Sequence, residues 1–142
     1  MLEIEMIKNK VERIQFDLSH LKEYIGFSFD DIAKDYILHK AVERMIEIIV
    51  NEAIDINQHI IVEDGKGKLP FDFTESFLLL VDLGVYPKEF ADKISKSVGL
   101  RNILVHEYRT LDEQIFYQSI KECFQEYTHY CRYILAYIEK SS

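Results

Sequence analysis

The sequence has very little glycine and proline, the residues that form most tight turns. Only five glycines and two prolines occur among its 142 residues. An all-β fold needs many such turns, so this scarcity argues against one and favours long helices. Apolar residues make up 48% of the chain, which excludes a disordered segment. The length and this composition together predict one helical domain over residues 1–142.

The sequence also lacks the features of a membrane or secreted protein. No run of about 18 uncharged apolar residues occurs, so no transmembrane span is expected. The opening segment, Met1 to Glu5, is acidic and amphipathic, unlike a signal peptide. Cys123 and Cys131 lie eight residues apart in a helical pattern, which separates them by about 12 Å, too far for a disulfide. We therefore expect a cytoplasmic protein that does not associate with a membrane.

Positive charge is scarce as well. The net charge of −8 argues against general binding to nucleic acid. The exception is the stretch from residue 88 to 109, where five bases outnumber three acids: Lys88, Lys93, Lys96, Arg101 and Arg109 against Glu89, Asp92 and Glu107. A contact with RNA is expected only in this part of the chain.

Apolar residues recur at helical spacing at both ends of the chain. The first series is Ile4, Ile7, Val11, Ile14, Leu18, Leu21 and Ile25; the last is Phe116, Ile120, Cys123, Tyr127, Cys131, Ile134 and Ile138. Such stripes are typical of helices that pack on other helices.

Between these stripes the pattern predicts three more helices. The first runs from about Asp31 to Val62 and is apolar on more than one side, which indicates a central position. A short helix runs from Phe73 to Leu83, and a further one from Lys88 to about Glu107, before Asp112 caps the last helix. With such short connections, the prediction is an all-α fold, an up-and-down four-helix bundle with a short extra helix.

The segment Arg101–Tyr108 reads RNILVHEY and contains the residues for phosphodiester chemistry. Arginine is well shaped to hold a phosphate, and histidine exchanges its proton near neutral pH. His106 would relay protons and Arg101 would stabilise the charge that builds on the phosphate. Asn102 would orient the imidazole or bind a phosphate oxygen. Neither a metal nor a cofactor is needed for this chemistry.

Helical geometry does not bring Arg101 and His106 together within one straight helix. At 100° per residue, two residues five apart diverge by about 140°. Either the helix deforms, or the long arginine reaches around it, or a second chain completes the site. Cleavage of RNA needs both a base and an acid, and a two-fold dimer would supply His106 twice. The plain alternative is a salt-bridged arginine and a structural histidine at a helix end.

The pattern Arg-Asn-x-Leu-Val-His-x-Tyr resembles the signature of the HEPN superfamily, and specifically of the HepT-like toxins. Residues 41–44 (AVER) and 51–60 (NEAIDINQHI) are similar to the second-helix pattern of that family. The family commonly has a methionine-type residue before the arginine, where this chain has Leu100. That departure leaves the proposed chemistry unchanged.

This resemblance implies a homodimeric, metal-independent endoribonuclease toxin of a type VII-like toxin–antitoxin pair, with Arg101 and His106 as catalytic residues and Asn102 in support. It also implies an MntA-like nucleotidyltransferase antitoxin, which silences the toxin by transferring AMP onto Tyr108. The added phosphodiester and base would repel and occlude RNA at the site.

Two other functions stay open at this stage. The chain could be a non-catalytic HEPN subunit that binds a nucleotide or a nucleotidyltransferase partner, or a purely structural bundle that dimerises.

Glu52, Asp55 and His59 share a helical face and could together bind a metal ion. Pairing of these groups with bases on a neighbouring helix, Arg101 among them, is the more ordinary interpretation. Three tyrosines off the centre of the last stripe are candidates for partner contacts: Tyr130, Tyr133 and Tyr137.

Overall fold

The computed structural model describes residues 1–106 and 112–141, and every regular element in these ranges is helical. The helices are α1 (Ile4–Leu21), α2 (Phe29–Lys34), α3 (Tyr36–Asp64), α4 (Phe73–Asp82), α5 (Lys88–Ile94), α6 (Ser97–His106) and α7 (Glu113–Ser141), with a 3₁₀ turn at Lys22–Tyr24. The prediction of an all-α fold is confirmed.

The two predicted stripes form the core of the bundle. On α1, the residues Ile7, Val11, Ile14, Leu18 and Leu21 are buried, and on α7 every residue of the predicted stripe is buried. Helix α3 packs against α1, α4 and α6, while α7 packs against α1, α3 and α5. The central position predicted for the second long helix is therefore confirmed. The reason is that α3 buries apolar side chains against several neighbours at once.

The predicted helix from Asp31 to Val62 is wrong at its beginning, because the chain forms two helices there. Ser28 caps α2: its hydroxyl accepts from the Asp31 amide, and the Asp31 carboxylate accepts from the Ser28 amide, each at 3.1 Å. Asp35 then interrupts the helix in an extended conformation and caps α3 by accepting from the Leu38 amide at 3.1 Å. Each cap satisfies amides that a continuous helix would bond internally.

The predicted helix from Lys88 to Glu107 is also two helices, with a break at Ser95 and Lys96. The Ser95 hydroxyl donates to the Asp92 carbonyl and the Ser97 hydroxyl to the Ile94 carbonyl. Serine side chains compete in this way with the backbone bonds of a helix. The break lets α5 pack against α4 and α7 while α6 packs against α3. It thereby sets the direction from which α6 presents its side chains to α3.

The three tyrosines named as candidates for partner contacts make contacts within their own chain. Tyr130 is fully buried, and its hydroxyl donates to Asn57 Oδ1 at 2.5 Å. The Tyr137 hydroxyl donates to Asp64 at 2.5 Å, and the Tyr133 ring packs against Phe90 with centroids 4.9 Å apart. The partner-contact prediction is wrong for Tyr130, because its hydroxyl reaches a polar group inside the core rather than the surface.

Cys123 and Cys131 are both buried free thiols. Within residues 1–106 and 112–141, none of the helices combines the length and the apolar character that crossing a membrane requires.

Candidate active site

Arg101 is half-buried on α6, and its guanidinium is held by three contacts. Its Nε donates to Asn51 Oδ1 on α3 at 2.7 Å, and its Nη1 donates to Asn102 Oδ1 at 3.0 Å. The guanidinium carbon lies over the ring of Phe73, the first residue of α4, at 5.4 Å from the centroid. Two hydrogen bonds and a cation–π contact fix the plane of a group that otherwise has several rotamers.

Among residues 1–106 and 112–141, no carboxylate neutralises the charge of Arg101. Both hydrogen-bond acceptors are neutral amide oxygens, and none of the ion pairs found over residues 1–106 and 112–141 includes Arg101. A guanidinium carries five N–H groups, of which these two bonds occupy two. The alternative of a salt-bridged arginine thus finds no support in this part of the chain. This arrangement suits a group that binds an anion.

Asn51 is a site residue whose role the sequence did not reveal. It lies half-buried in the middle of α3, next to the buried Val50. Asparagine is a weak helix former, so its use within a long helix indicates that the side chain serves a tertiary contact. Asn51 is the first residue of the segment 51–60, which is similar to the second-helix pattern of the HepT-like family. That similarity is the sequence signal that could have identified it.

Asn102 contacts the arginine in the structure. Its side-chain oxygen accepts from Arg101 Nη1, one residue away on the same helix. The contact shows that Asn102 helps to hold the guanidinium. Its supporting role in catalysis stays a prediction.

His106 is exposed at the last residue of α6. The helix is continuous from Ser97 to His106, so Arg101 and His106 lie about 7.5 Å apart along its axis. Arg101 turns toward α3 and α4 and does not reach around the helix toward the imidazole. Within residues 97–106, neither a deformed helix nor a reaching arginine brings the two side chains together. Completion of the site by a second chain stays a prediction.

Tyr108, the predicted site of modification, lies outside the described residues, together with the rest of the stretch 107–111. Its modification stays a prediction.

The carboxylates on the face of α3 pair with α1. Lys10 Nζ lies 3.3 Å from both Glu52 and Asp55, and His59 Nε2 accepts from the Glu3 amide at 3.1 Å. Pairing of the two carboxylates with bases on a neighbouring helix is confirmed, although the bases are Lys10 and, for Glu52, also Arg13 rather than Arg101. In the ranges that the structure covers, no group of three or more His, Cys, Asp or Glu side chains is arranged to hold a metal ion.

A groove of about 1040 Å³ separates α5 and α6 from α7. Lys93, Lys96, Glu122 and Glu126 line it. Burial first, and then the Glu122 carboxylate, raise the pKa of Glu126 to about 7, against the opposing charges of Lys93 and Lys96. Two of the five bases in the stretch 88–109 therefore interact electrostatically with the Glu126 carboxylate on α7.

The chain is an all-helical bundle with an Arg-x4-His segment, and its arginine has no carboxylate partner among the residues described. This combination is typical of the HEPN superfamily. Residues 14–134 match the family described as ribonuclease HepT-like, and the chain belongs to this family.

Two relatives and one solved structure support this assignment. The chain is 35% identical over 137 residues to the tRNA nuclease HepT of Aphanizomenon flos-aquae, covering 96% of this chain and 92% of that one. It is 26% identical over 132 residues to the mRNA nuclease HepT of Shewanella oneidensis, covering 93% and 98%. A solved structure of the tri-AMPylated Shewanella oneidensis HEPN toxin in complex with MNT antitoxin has a TM-score of 0.83 at 25% identity, covering 96% and 99%. The predictions of a HepT-like chain and of an RNA nuclease are confirmed.

Proposed function

We propose that this chain is a metal-independent endoribonuclease toxin of a type VII-like toxin–antitoxin pair, acting in the cytoplasm. One observation supports the catalytic part above all others: Arg101 is fixed by Asn51, Asn102 and Phe73, while its charge has no carboxylate partner in the described structure. A fixed cation without an acidic partner is suited to the charge that develops on phosphate in a transition state. The toxin role follows from the similarity to the Shewanella HEPN toxin.

Cleavage would proceed by attack of a ribose 2′-hydroxyl on the adjacent phosphorus. His106 of one protomer, as a neutral imidazole, takes the 2′-hydroxyl proton while the new P–O bond forms. As the bond from phosphorus to the 5′-oxygen breaks, a protonated His106 of the other protomer gives that oxygen a proton. The products are a 2′,3′-cyclic phosphate and a 5′-hydroxyl. Arg101 donates its N–H groups to the phosphoryl oxygens throughout.

The proposed dimer follows from the position of His106. The residue is exposed at the end of α6 and is displaced along the helix from Arg101. One chain therefore offers one proton-transfer group, whereas the reaction needs a base and an acid. A two-fold axis near the end of α6 would bring two copies of each residue to one cleft.

The proposed regulation is transfer of AMP from ATP onto Tyr108 by an MntA-like nucleotidyltransferase antitoxin. The support is the tri-AMPylated state of the Shewanella toxin in its complex with MNT antitoxin. Tyr108 follows His106 by two residues in the sequence. Each AMP adds a negatively charged phosphodiester, which would repel the phosphates of RNA.

The decisive experiment is cleavage of single-stranded RNA by purified protein in the presence of EDTA. We expect cutting that leaves cyclic phosphate ends, and its loss in Arg101→Ala and in His106→Ala. Arg132→Ala is the matched control, because Arg132 is an exposed arginine on α7. A strict requirement for a divalent ion, or full activity in either site variant, would contradict the mechanism.

The net charge of −8 favours one other candidate, a non-catalytic subunit that mainly binds a nucleotidyltransferase partner. Expression of the chain alone distinguishes the two. A toxin stops growth, and co-expression of the neighbouring gene relieves this effect; a binding subunit has no effect alone.

A further inference from the structure

Two phenylalanines at the start of α4 are exposed, and the second of them contacts Arg101. Phe71 is 90% exposed and Phe73 is 38% exposed. Phe73 is in contact with the guanidinium of Arg101, 5.4 Å from the ring centroid. Neither ring contributes to the buried core, so burial does not explain their presence. Adjacent exposed aromatic residues next to a functional cation indicate a binding surface.

The backbone between the two phenylalanines is extended. Asp72, between them, has φ −150° and ψ −178°. In an extended segment, side chains two residues apart lie on the same side of the chain, and their Cα atoms are about 6.6 Å apart. Two hydrogen bonds hold this turn: the Phe71 amide donates to Glu75 Oε1 at 3.1 Å, and the Glu75 amide donates to Asp72 Oδ1 at 2.8 Å.

Two side chains whose Cα atoms lie about 6.6 Å apart leave room for one planar ring between them, because stacked carbon atoms lie about 3.5 Å apart. We propose that Phe71 and Phe73 receive one unpaired base of the RNA, which stacks there while the adjoining phosphate lies on Arg101. This inference rests on the proposed function and adds a base subsite to it.

The surroundings favour a nucleotide over an apolar protein segment. A ring and an adjacent fixed cation match the two parts of a nucleotide, its base and its phosphate. The two nearby carboxylates, Asp72 and Glu75, are each engaged with a backbone amide in the cap of α4. Their negative charge is thereby partly satisfied within the protein.

The test compares cleavage of a short single-stranded RNA with one cleavable phosphate. Phe71→Leu is the main variant, because leucine stays apolar but cannot stack. We expect kcat/KM to fall roughly 10-fold, within the range known for loss of a stacked base, and Phe71→Tyr to retain activity. Leu69→Ala is the control: Leu69 is 71% exposed in the same connection, and its loss should have no effect.

A substrate that lacks one base tests whether the activity lost in Phe71→Leu comes from stacking on that base. Replacing the nucleotide that flanks the cut by an abasic one should lower the activity of the unmodified protein by the same factor. Phe71→Leu should then cause no further loss. Equal cleavage of the normal RNA by Phe71→Leu and by the unmodified protein would overturn the inference. So would a loss of activity that accompanies conversion of dimer to monomer in sedimentation, because Phe71 would then be a protein contact.

A binding measurement separates this inference from the proposed function. His106→Ala protein should quench the fluorescence of 2-aminopurine placed at the flanking position of the RNA, and adding Phe71→Leu should abolish the quenching. Quenching by the His106→Ala protein, together with an unmodified protein that does not cut RNA, would support the subsite and contradict the nuclease proposal. Cutting by the unmodified protein, together with no quenching by the His106→Ala protein, would support the nuclease and overturn the subsite.

Discussion

Arg101 Nε lies 2.7 Å from the side-chain oxygen of Asn51, a residue fifty positions earlier in the chain. The bond joins α6 to α3 and sets the orientation of the guanidinium relative to the bundle. Hydrogen bonds from a charged donor are stronger and shorter than those between neutral groups. This bond therefore holds the guanidinium in one orientation. The position of the proposed phosphate-binding group therefore depends on a neutral residue on another helix.

Asn51→Ala should lower kcat roughly 10-fold and change KM little. The arginine keeps its charge but loses one of the contacts that orient it, and misplacement of such a group slows the chemical step. Steady-state cleavage of RNA measures both constants. Asn9→Ala, at an exposed position of α1, is the control. An unchanged kcat would show that Asn102 and Phe73 suffice to position the guanidinium.

Asn51→Asp separates orientation from charge. It keeps an acceptor for Arg101 Nε but places a carboxylate beside the guanidinium, as in an ordinary ion pair. We expect weaker RNA binding, seen as a higher KM, in addition to a lower kcat. If Asn51→Asp cut RNA as well as the unmodified protein, the neutrality of the acceptors would have no functional meaning.

Arg101→Lys should reduce the single-turnover rate about as much as Arg101→Ala does. Loss of such an electrostatic stabiliser typically costs about 3–4 kcal/mol of transition-state stabilisation, or roughly 100- to 1000-fold in rate. A lysine ammonium is a point charge that cannot bond Asn51 and Asn102 in one plane and still offer donors to phosphate. A lysine variant that keeps more than about a tenth of the rate would mean that only the charge matters.

The sequence predicted the long helices because their burial follows from residue spacing alone. The stripes of α1 and α7 repeat every three or four residues, and nothing interrupts them. The breaks at Asp35 and at Ser95 were missed because apolar spacing continues across them. A single cap, worth about 1 kcal/mol, decides whether such a segment is one helix or two.

The residue types of the site could also be predicted, but not their contacts. Arg101 and His106 belong to a short segment whose residue types predict phosphodiester chemistry. The contact between Arg101 and Asn51 joins distant residues, and spacing carries no information about it. The same holds for Phe73, which meets the guanidinium only because α4 and α6 both lie near α3.

Tyr130→Phe should destabilise the bundle by about 1–3 kcal/mol, because it leaves a buried acceptor without its donor. The Tyr130 hydroxyl donates to Asn57 Oδ1, and both residues are fully buried. At roughly 3 °C per kcal/mol for a chain of this size, Tm should fall by about 3–9 °C. Tyr117→Phe is the matched control, since its hydroxyl donates to the Phe27 carbonyl at an exposed position where water can replace it. Equal losses of Tm in the two variants would contradict the argument.

Glu126→Gln should stabilise the protein above neutral pH and have no effect near pH 4.5. The pKa of Glu126 is raised to about 7, chiefly by burial, so the folded state holds a proton there that the unfolded state has released above its ordinary value of 4.5. Stability therefore falls as pH rises from about 4.5 to 7, and glutamine removes this loss. Because solvent screens a half-exposed carboxylate, we expect about 1 kcal/mol at pH 8, or about 3 °C in Tm. Thermal melts at pH 5 and pH 8 give the measurement, with Glu12→Gln at an exposed position of α1 as control. A stabilisation of equal size at both pH values would show that the gain comes from the amide and not from the charge.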